Sequence, residues 1–259
     1  TGGNDINVAA STEFALSGDI SGGFGFAKTG DGTLVLSGDN TFLGFLNIFE
    51  GVVNIRSDQA LGGAFETSVR DGAALELEGN ITTGETVVLF GDGVSSDGAI
   101  RNASGANTIS GDLVLNADSR VNSEAGTLTL AGEINGETGG GSPLNADLAL
   151  GGAGNGVVSG TFGSQIIELL KDGAGTWTLS GNNLHTGQTT IRAGALRAES
   201  GAALGSAAQG TLVQSGGALE LAGGINITGE ALTLNGTGVS NGGALRNISG
   251  NNTYGGDIS

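Results

Sequence analysis

The segment Lys28-Thr-Gly-Asp-Gly-Thr-Leu-Val-Leu-Ser-Gly-Asp-Asn40 returns as Lys171-Asp-Gly-Ala-Gly-Thr-Trp-Thr-Leu-Ser-Gly-Asn-Asn183, an offset of 143 residues. The correspondence continues through Ile48/Ile191, Gly51/Gly194 and Leu61/Leu204. It resumes at Ala74-Leu-Glu-Leu77 against Ala218-Leu-Glu-Leu221, and again at Gly98 to Asp112 against Gly243 to Asp257, where the offset has grown to 145. A chain that repeats itself at this length is an array, and its fold must let one unit stack on the next. The expected organisation is one continuous solenoid in three parts. Residues 1–27 read as the tail of a preceding module, 28–170 as a complete module, and 171–259 as a truncated second copy.

The local pattern identifies the unit. Thr33 to Leu36, Val52 to Ile55, Ala74 to Leu77, Thr86 to Leu89, Gly126 to Leu130 and Leu232 to Leu234 are short runs that alternate small polar with apolar residues and end in Gly, Asn, Asp or Ser. These are strand and turn signals. Ile166 to Lys171 alone would pass for a helical turn, but its counterpart Gly23-Phe-Gly-Phe-Ala-Lys28 carries glycine at alternate sites. The shared period-two pattern, Phe24 and Phe26 against Ile167 and Leu169, predicts a strand with those residues inward. The 259 residues include 53 glycines but one proline, without a collagen period. Proline cannot donate to a ladder in which each strand is paired on both sides, whereas glycine supplies tight corners. The expectation is an all-β, right-handed parallel β-helix without substantial helix. At ~20–25 residues per coil and ~4.8 Å per coil, it would have ~10–13 coils and be roughly 50–60 Å long.

The string K-x-G-x-G-T-x-x-L-S-G-x-N, followed by T-x-x-G-x-x-x-I-x-x-G, resembles the passenger-associated repeat of bacterial autotransporters. It runs from Lys28 to Gly51 and from Lys171 to Gly194. The second copy is the closer match, through Thr186-Gly-Gln-Thr-Thr-Ile191; the first departs at Leu43-Gly-Phe-Leu-Asn-Ile48. The resemblance implies a parallel β-helix that is secreted or displayed on a Gram-negative cell surface as stalk, adhesin or fibre. It carries no shared catalytic residues.

Charge and composition exclude several chemistries. With 26 acids against nine bases the net charge is −17, the wrong sign for nucleic acid or an anionic membrane surface. No apolar run is long enough to insert in a membrane as a helix. Without cysteine there are no disulfides or thiolate sites. His185 is the single histidine and reads as a turn residue, its counterpart being Phe42. Lys28 and Lys171 share one repeat position and read as solvated charges, or as partners of carboxylates on adjacent coils. The recurring Asn40/Asn183, Asn102/Asn247 and Asn107/Asn252 read first as left-handed turn residues and second as stacked amides. Only 4% of residues are aromatic, and most rings, Trp177 included, are expected in the core. The absence of Asp-x-Asp-x-Asp loops leaves solvated turns as the first reading of the acids, with Asp31, Asp39, Asp92 and Asp97 as candidates for loosely held Ca²⁺.

The function expected from all this is structural and interactive, not enzymatic. The partner is the chain itself, end to end or side by side, with host-cell or surface glycans as a further class. The alternative is a polysaccharide-binding or -cleaving β-helix of lyase, hydrolase or phage tail-spike type; a polysaccharide-active site would need two close carboxylates and an exposed aromatic in one groove.

Overall fold

The computed structural model describes residues 4–137 and 145–259; the start of the expected tail at residues 1–3 lies outside them. All strand pairs in it are parallel, and successive strands pass in turn to three faces. Face one holds seven strands, from Asn4–Asn7 to Ile134–Gly136. Face two holds eleven, from Glu13–Leu16 to Leu232–Leu234. Face three holds eight, from Thr82–Thr83 to Leu245–Asn247. Two short pairs complete it: Ser21–Gly22 with Thr41–Phe42, and Asn226–Ile227 with Thr253–Tyr254. The chain is a parallel β-solenoid of about eleven turns, as the eleven-stranded face shows. A coil takes between nineteen residues, where Thr33 pairs with Val52, and twenty-nine, where Val121 pairs with Leu150.

The strands form where the alternation placed them. Thr33–Leu36 and Leu232–Leu234 have the expected bounds, and Gly51–Ile55, Ala73–Glu78, Val87–Leu89 and Thr127–Leu130 differ by a residue or so. In-register pairing aligns side chains into columns along the axis. Leu34, Val53, Leu75, Ile100, Val121 and Leu150 succeed one another on face two, all buried. Each coil therefore removes its aliphatic side chains from water against the coils on either side, so stability is a sum of neighbour terms.

The alternation at Phe24 is a correction. Phe26 is buried, but Phe24 is 82% exposed, because it precedes the strand Phe26–Thr29 and lies on the corner leading into it. In the second copy Ile166 and Leu169 turn inward while Ile167 is half-buried, since the pairing with the strand Ala146–Gly151 shifts register between Ala146 and Leu148. Two short 3₁₀ turns, Val94–Ser96 and Val239–Asn241, occupy matching places in the two copies. Ser95 and Ser240 sit there at φ 55° and 52°.

The two copies are not placed one above the other. Lys28 lies on face one, paired with Ile6 and Ile48. Lys171 lies on face two, paired with Leu150 and Ile191, in the column that includes Leu34 six pairings earlier. The strand Thr33–Leu36 is likewise on face two and its counterpart Thr176–Leu179 on face three. One module thus contains six coils and one additional face, so the second copy is turned about the axis by one face relative to the first.

Candidate functional site

The residues that recur between the copies hold the coil together. Lys28 and Lys171 are fully buried, which corrects the expectation of solvated charges. Each stands in an inward column of aliphatic residues and turns its ammonium into the corner that follows. Lys28 Nζ donates to the carbonyls of Thr29 (3.0 Å), Gly30 (2.6 Å) and Glu50 (3.0 Å). Lys171 Nζ does the same to Asp172, Gly173 and Ala193. Three carbonyls that face inward at a corner gain three donors from one group. Burial lowers the pKa of both amines, that of Lys171 to about 8, against the opposing effect of Asp172. The corner itself requires glycine: Gly30 and Gly173 have φ of 75° and 70°, a region that side chains with a Cβ avoid.

The asparagines are also corrected. None of the six has a positive φ; the left-handed asparagines among the described residues are Asn80 and Asn241. Asn40 and Asn183 are buried and bridge three coils. Asn40 Oδ1 accepts from Ile20 N (2.8 Å) and its amide donates to Ala60 O (2.6 Å). Asn183 accepts from Phe162 N (3.0 Å) and donates to Ala203 O (2.7 Å). Asn107 and Asn252 cap Ile81 N and Ile225 N and donate to Asn102 and Asn247. Backbone that leaves the ladder at a corner is satisfied by amides in the repeat.

His185 is a core residue. Its ring stands edge-on to Phe162 at 5.6 Å, and Nε2 shares a hydrogen bond of 2.9 Å with Thr189 Oγ1. Burial lowers its pKa to about 4, so the imidazole is neutral at ordinary pH. Trp177 is buried as expected and donates through Nε1 to Gly151 O at 3.0 Å. Among the described residues, five arginines pair with acids across coils. Arg101 bridges Glu76 (3.3 Å) and Glu124 (2.9 Å), and Glu220 is held between Arg197 and Arg246.

The four aspartates proposed for Ca²⁺ are exposed and do not converge. Asp31 and Asp39 lie in turns on either side of the strand Thr33–Leu36. Asp92 and Asp97 flank the first 3₁₀ turn, three coils further along face one. Asp39 accepts from Ser57 Oγ, and the Asp97 main-chain carbonyl (2.8 Å) and carboxylate (3.3 Å) both accept from the side-chain amide of Asn122. Among the described residues no three acids or histidines gather as a metal site. A concavity of about 230 Å³ has Asp92, Asp118, Asp147, Glu168 and Arg192 on its walls. There Asp118 caps Asp147 N (2.9 Å) and Asp147 caps Glu168 N (3.0 Å), tying each coil to the next. Partial desolvation at the wall of the concavity raises the Asp92 pKa, with Arg120 opposing and Asp118 and Asp71 adding to it. No aromatic side chain lines this concavity.

Aromatic side chains are elsewhere, and against expectation several of them are outside. Of nine phenylalanines, Phe14, Phe24, Phe45, Phe49 and Phe65 are exposed. Phe24, Phe45 and Phe65 occur on consecutive coils beside face one, with the Phe45 and Phe65 rings 6.0 Å apart. Across the same face Arg70 lies over the Phe49 and Phe90 rings, at 5.8 and 4.1 Å. A groove of about 450 Å³ opens alongside Phe24 and Phe45. The two-copy comparison contained the signal for this patch: Phe45 and Phe49 stand where the second copy has Gln188 and Arg192, and a core position would not tolerate such an exchange.

Comparison with known proteins agrees with the recurring residues. Residues 26–55 and 169–198 match the passenger-associated-transport-repeat family, and these are the two segments that contain the buried lysines and the asparagine bridges. The chain is 31% identical over 196 residues to the adhesin BmaC autotransporter of Brucella suis biovar 1 (strain 1330), a likeness covering 70% of this chain and 5% of that protein. The chain therefore spans a small part of the length of the relative it matches. No solved structure matches it. No helix among the described residues is long and apolar enough to cross a membrane. The chain is a β-solenoid repeat protein of the autotransporter passenger type.

Proposed function

We propose that this chain serves as an extended spacer in an adhesin displayed on a Gram-negative cell surface, and that its role is mechanical and interactive, not enzymatic. The observation that carries the reading is the ladder on face two, which joins eleven coils by parallel pairing. Such a ladder converts sequence length into reach at ~4.8 Å per coil, and the net charge of −17 keeps the rod dispersed. The likeness to an adhesin supports the setting. End-to-end continuation belongs to the same proposal, since a further coil of this pattern can pair with backbone of the same geometry.

The polysaccharide-cleaving alternative is less well supported. Two of the four carboxylates of the Asp118–Asp147 concavity are engaged in capping and no aromatic platform lies beside them, while the aromatic groove has Asp5 as its one acid. To test the reading, the chain is joined to an outer-membrane β-barrel and expressed in a Gram-negative host. Antibody labelling of intact cells and increased adherence are expected. A chain that stays inside the cell, or one that releases reducing ends from polysaccharide, overturns it.

A further inference from the structure

The groove beside face one is lined by Asn4, Asp5, Phe24, Ala27, Phe45 and Asn47, among others. Its rings are not required by the solenoid. The second copy builds the equivalent corner and strand with Ile167, Gln188 and Thr190 in place of Phe24, Phe45 and Asn47. Phe24 is 82% and Phe45 53% exposed, and Phe65 continues the row. A contiguous exposed aromatic patch that the fold does not need points to a ligand.

The groove is also rigid. A Cβ on Gly25 would lie 1.8 Å from Phe45 O, and one on Gly44 would lie 1.8 Å from Gly25 N. The two coils therefore touch backbone to backbone at the residues next to Phe24 and Phe45. This fixes the two aromatic residues on adjoining coils without any loop to be ordered on binding.

We propose that this groove binds a neutral saccharide, with sugar rings laid on Phe24 and Phe45 and hydroxyls bonded to Asn4, Asp5 and Asn47. Charge selects the occupant. A second copy would bring another −17 against this one, and nucleic acid or anionic lipid meets the same repulsion. A cationic peptide would find one carboxylate, Asp5, among the lining side chains. A neutral sugar bears no such penalty. Its CH faces suit exposed rings and its hydroxyls suit amides and a carboxylate, the mixture of apolar wall and few polar groups usual in small-ligand sites. The volume suits two or three sugar units. This binding goes beyond the spacer reading and fails independently of it.

The test is titration calorimetry of the whole 259-residue chain with three neutral probes, chitotriose, cellotriose and lacto-N-tetraose. At least one is expected to bind. Phe45→Gln and Asn47→Thr, which install the side chains of the second copy, should each weaken that binding about tenfold while leaving the urea midpoint unchanged. The proposal is overturned if none of the probes binds, or if both variants bind as the parent does. Sedimentation on the same samples separates the rivals. A parent dimer that Phe45→Gln dissociates, without sugar binding, reassigns the groove to a second copy; tight binding of a lysine-rich peptide reassigns it to a cationic partner. Surface display of the fused chain would be untouched by either result.

Discussion

The buried polar side chains that recur between the copies satisfy backbone groups of their own corner and of the adjoining coils. Lys171 stands in a column of aliphatic residues because the corner after it presents two carbonyls and the next coil a third, which one ammonium can serve. Lys171→Met keeps the apolar stem and removes the donors, leaving buried acceptors without partners. A loss of about 3 kcal/mol or more in urea unfolding is expected, with Lys28→Met changing stability in the same direction. His185 makes a prediction in pH. Its pKa is about 4 in the fold and 6.5 in the unfolded chain, so between these values the unfolded state binds the extra proton. Its contribution is intact above pH 6.5 and declines as pH falls towards 4, by about 3 kcal/mol in all. His185→Phe installs the residue of the first copy, Phe42, and should flatten that part of the stability profile.

At the scale of the strand and its corner, hydrogen bonds outside the ladder decide how coils are joined. Asn183→Ala leaves Phe162 N and Ala203 O unsatisfied and should lower stability by about 2–4 kcal/mol. Asn182→Ala removes only an exposed bond to Ser200 Oγ and should change the urea midpoint by less than about 0.5 kcal/mol. The strands were legible because period-two alternation acts locally, and Thr33–Leu36 and Leu232–Leu234 fell where it put them. The tasks of Lys28 and Asn40 were not. They depend on which carbonyl or amide of another coil comes opposite, and sequence spacing alone does not specify that. The aromatic groove was half legible. The exchanges Phe45/Gln188 and Phe49/Arg192 mark exposed positions, but the prior that a scarce aromatic residue belongs to the core concealed them. The 3₁₀ turns at Val94–Ser96 and Val239–Asn241 depend on serines at positive φ, a conformation serine shows too rarely to be anticipated.

Across the molecule, the offset of 143 residues showed a repeat but not its phase. That depends on the sum of coil lengths from nineteen to twenty-nine residues, and these are set by corners that tolerate insertion. The phase can be measured directly, because the chain lacks cysteine and accepts paired labels. Spin labels at Asp31 and Ala174, equivalent in the two copies and both exposed, should lie several ångströms farther apart than labels at Asp31 and Glu168, which belong to one edge of the rod. Equal distances in pulsed EPR would contradict the turn by one face. That turn has a geometric outcome for any tandem series of such modules. Three in succession point to three sides before the first direction recurs, like leaves set around a stem. Whatever the modules carry is then offered all the way round, and a rod tethered at one end meets a passing surface equally well from any approach.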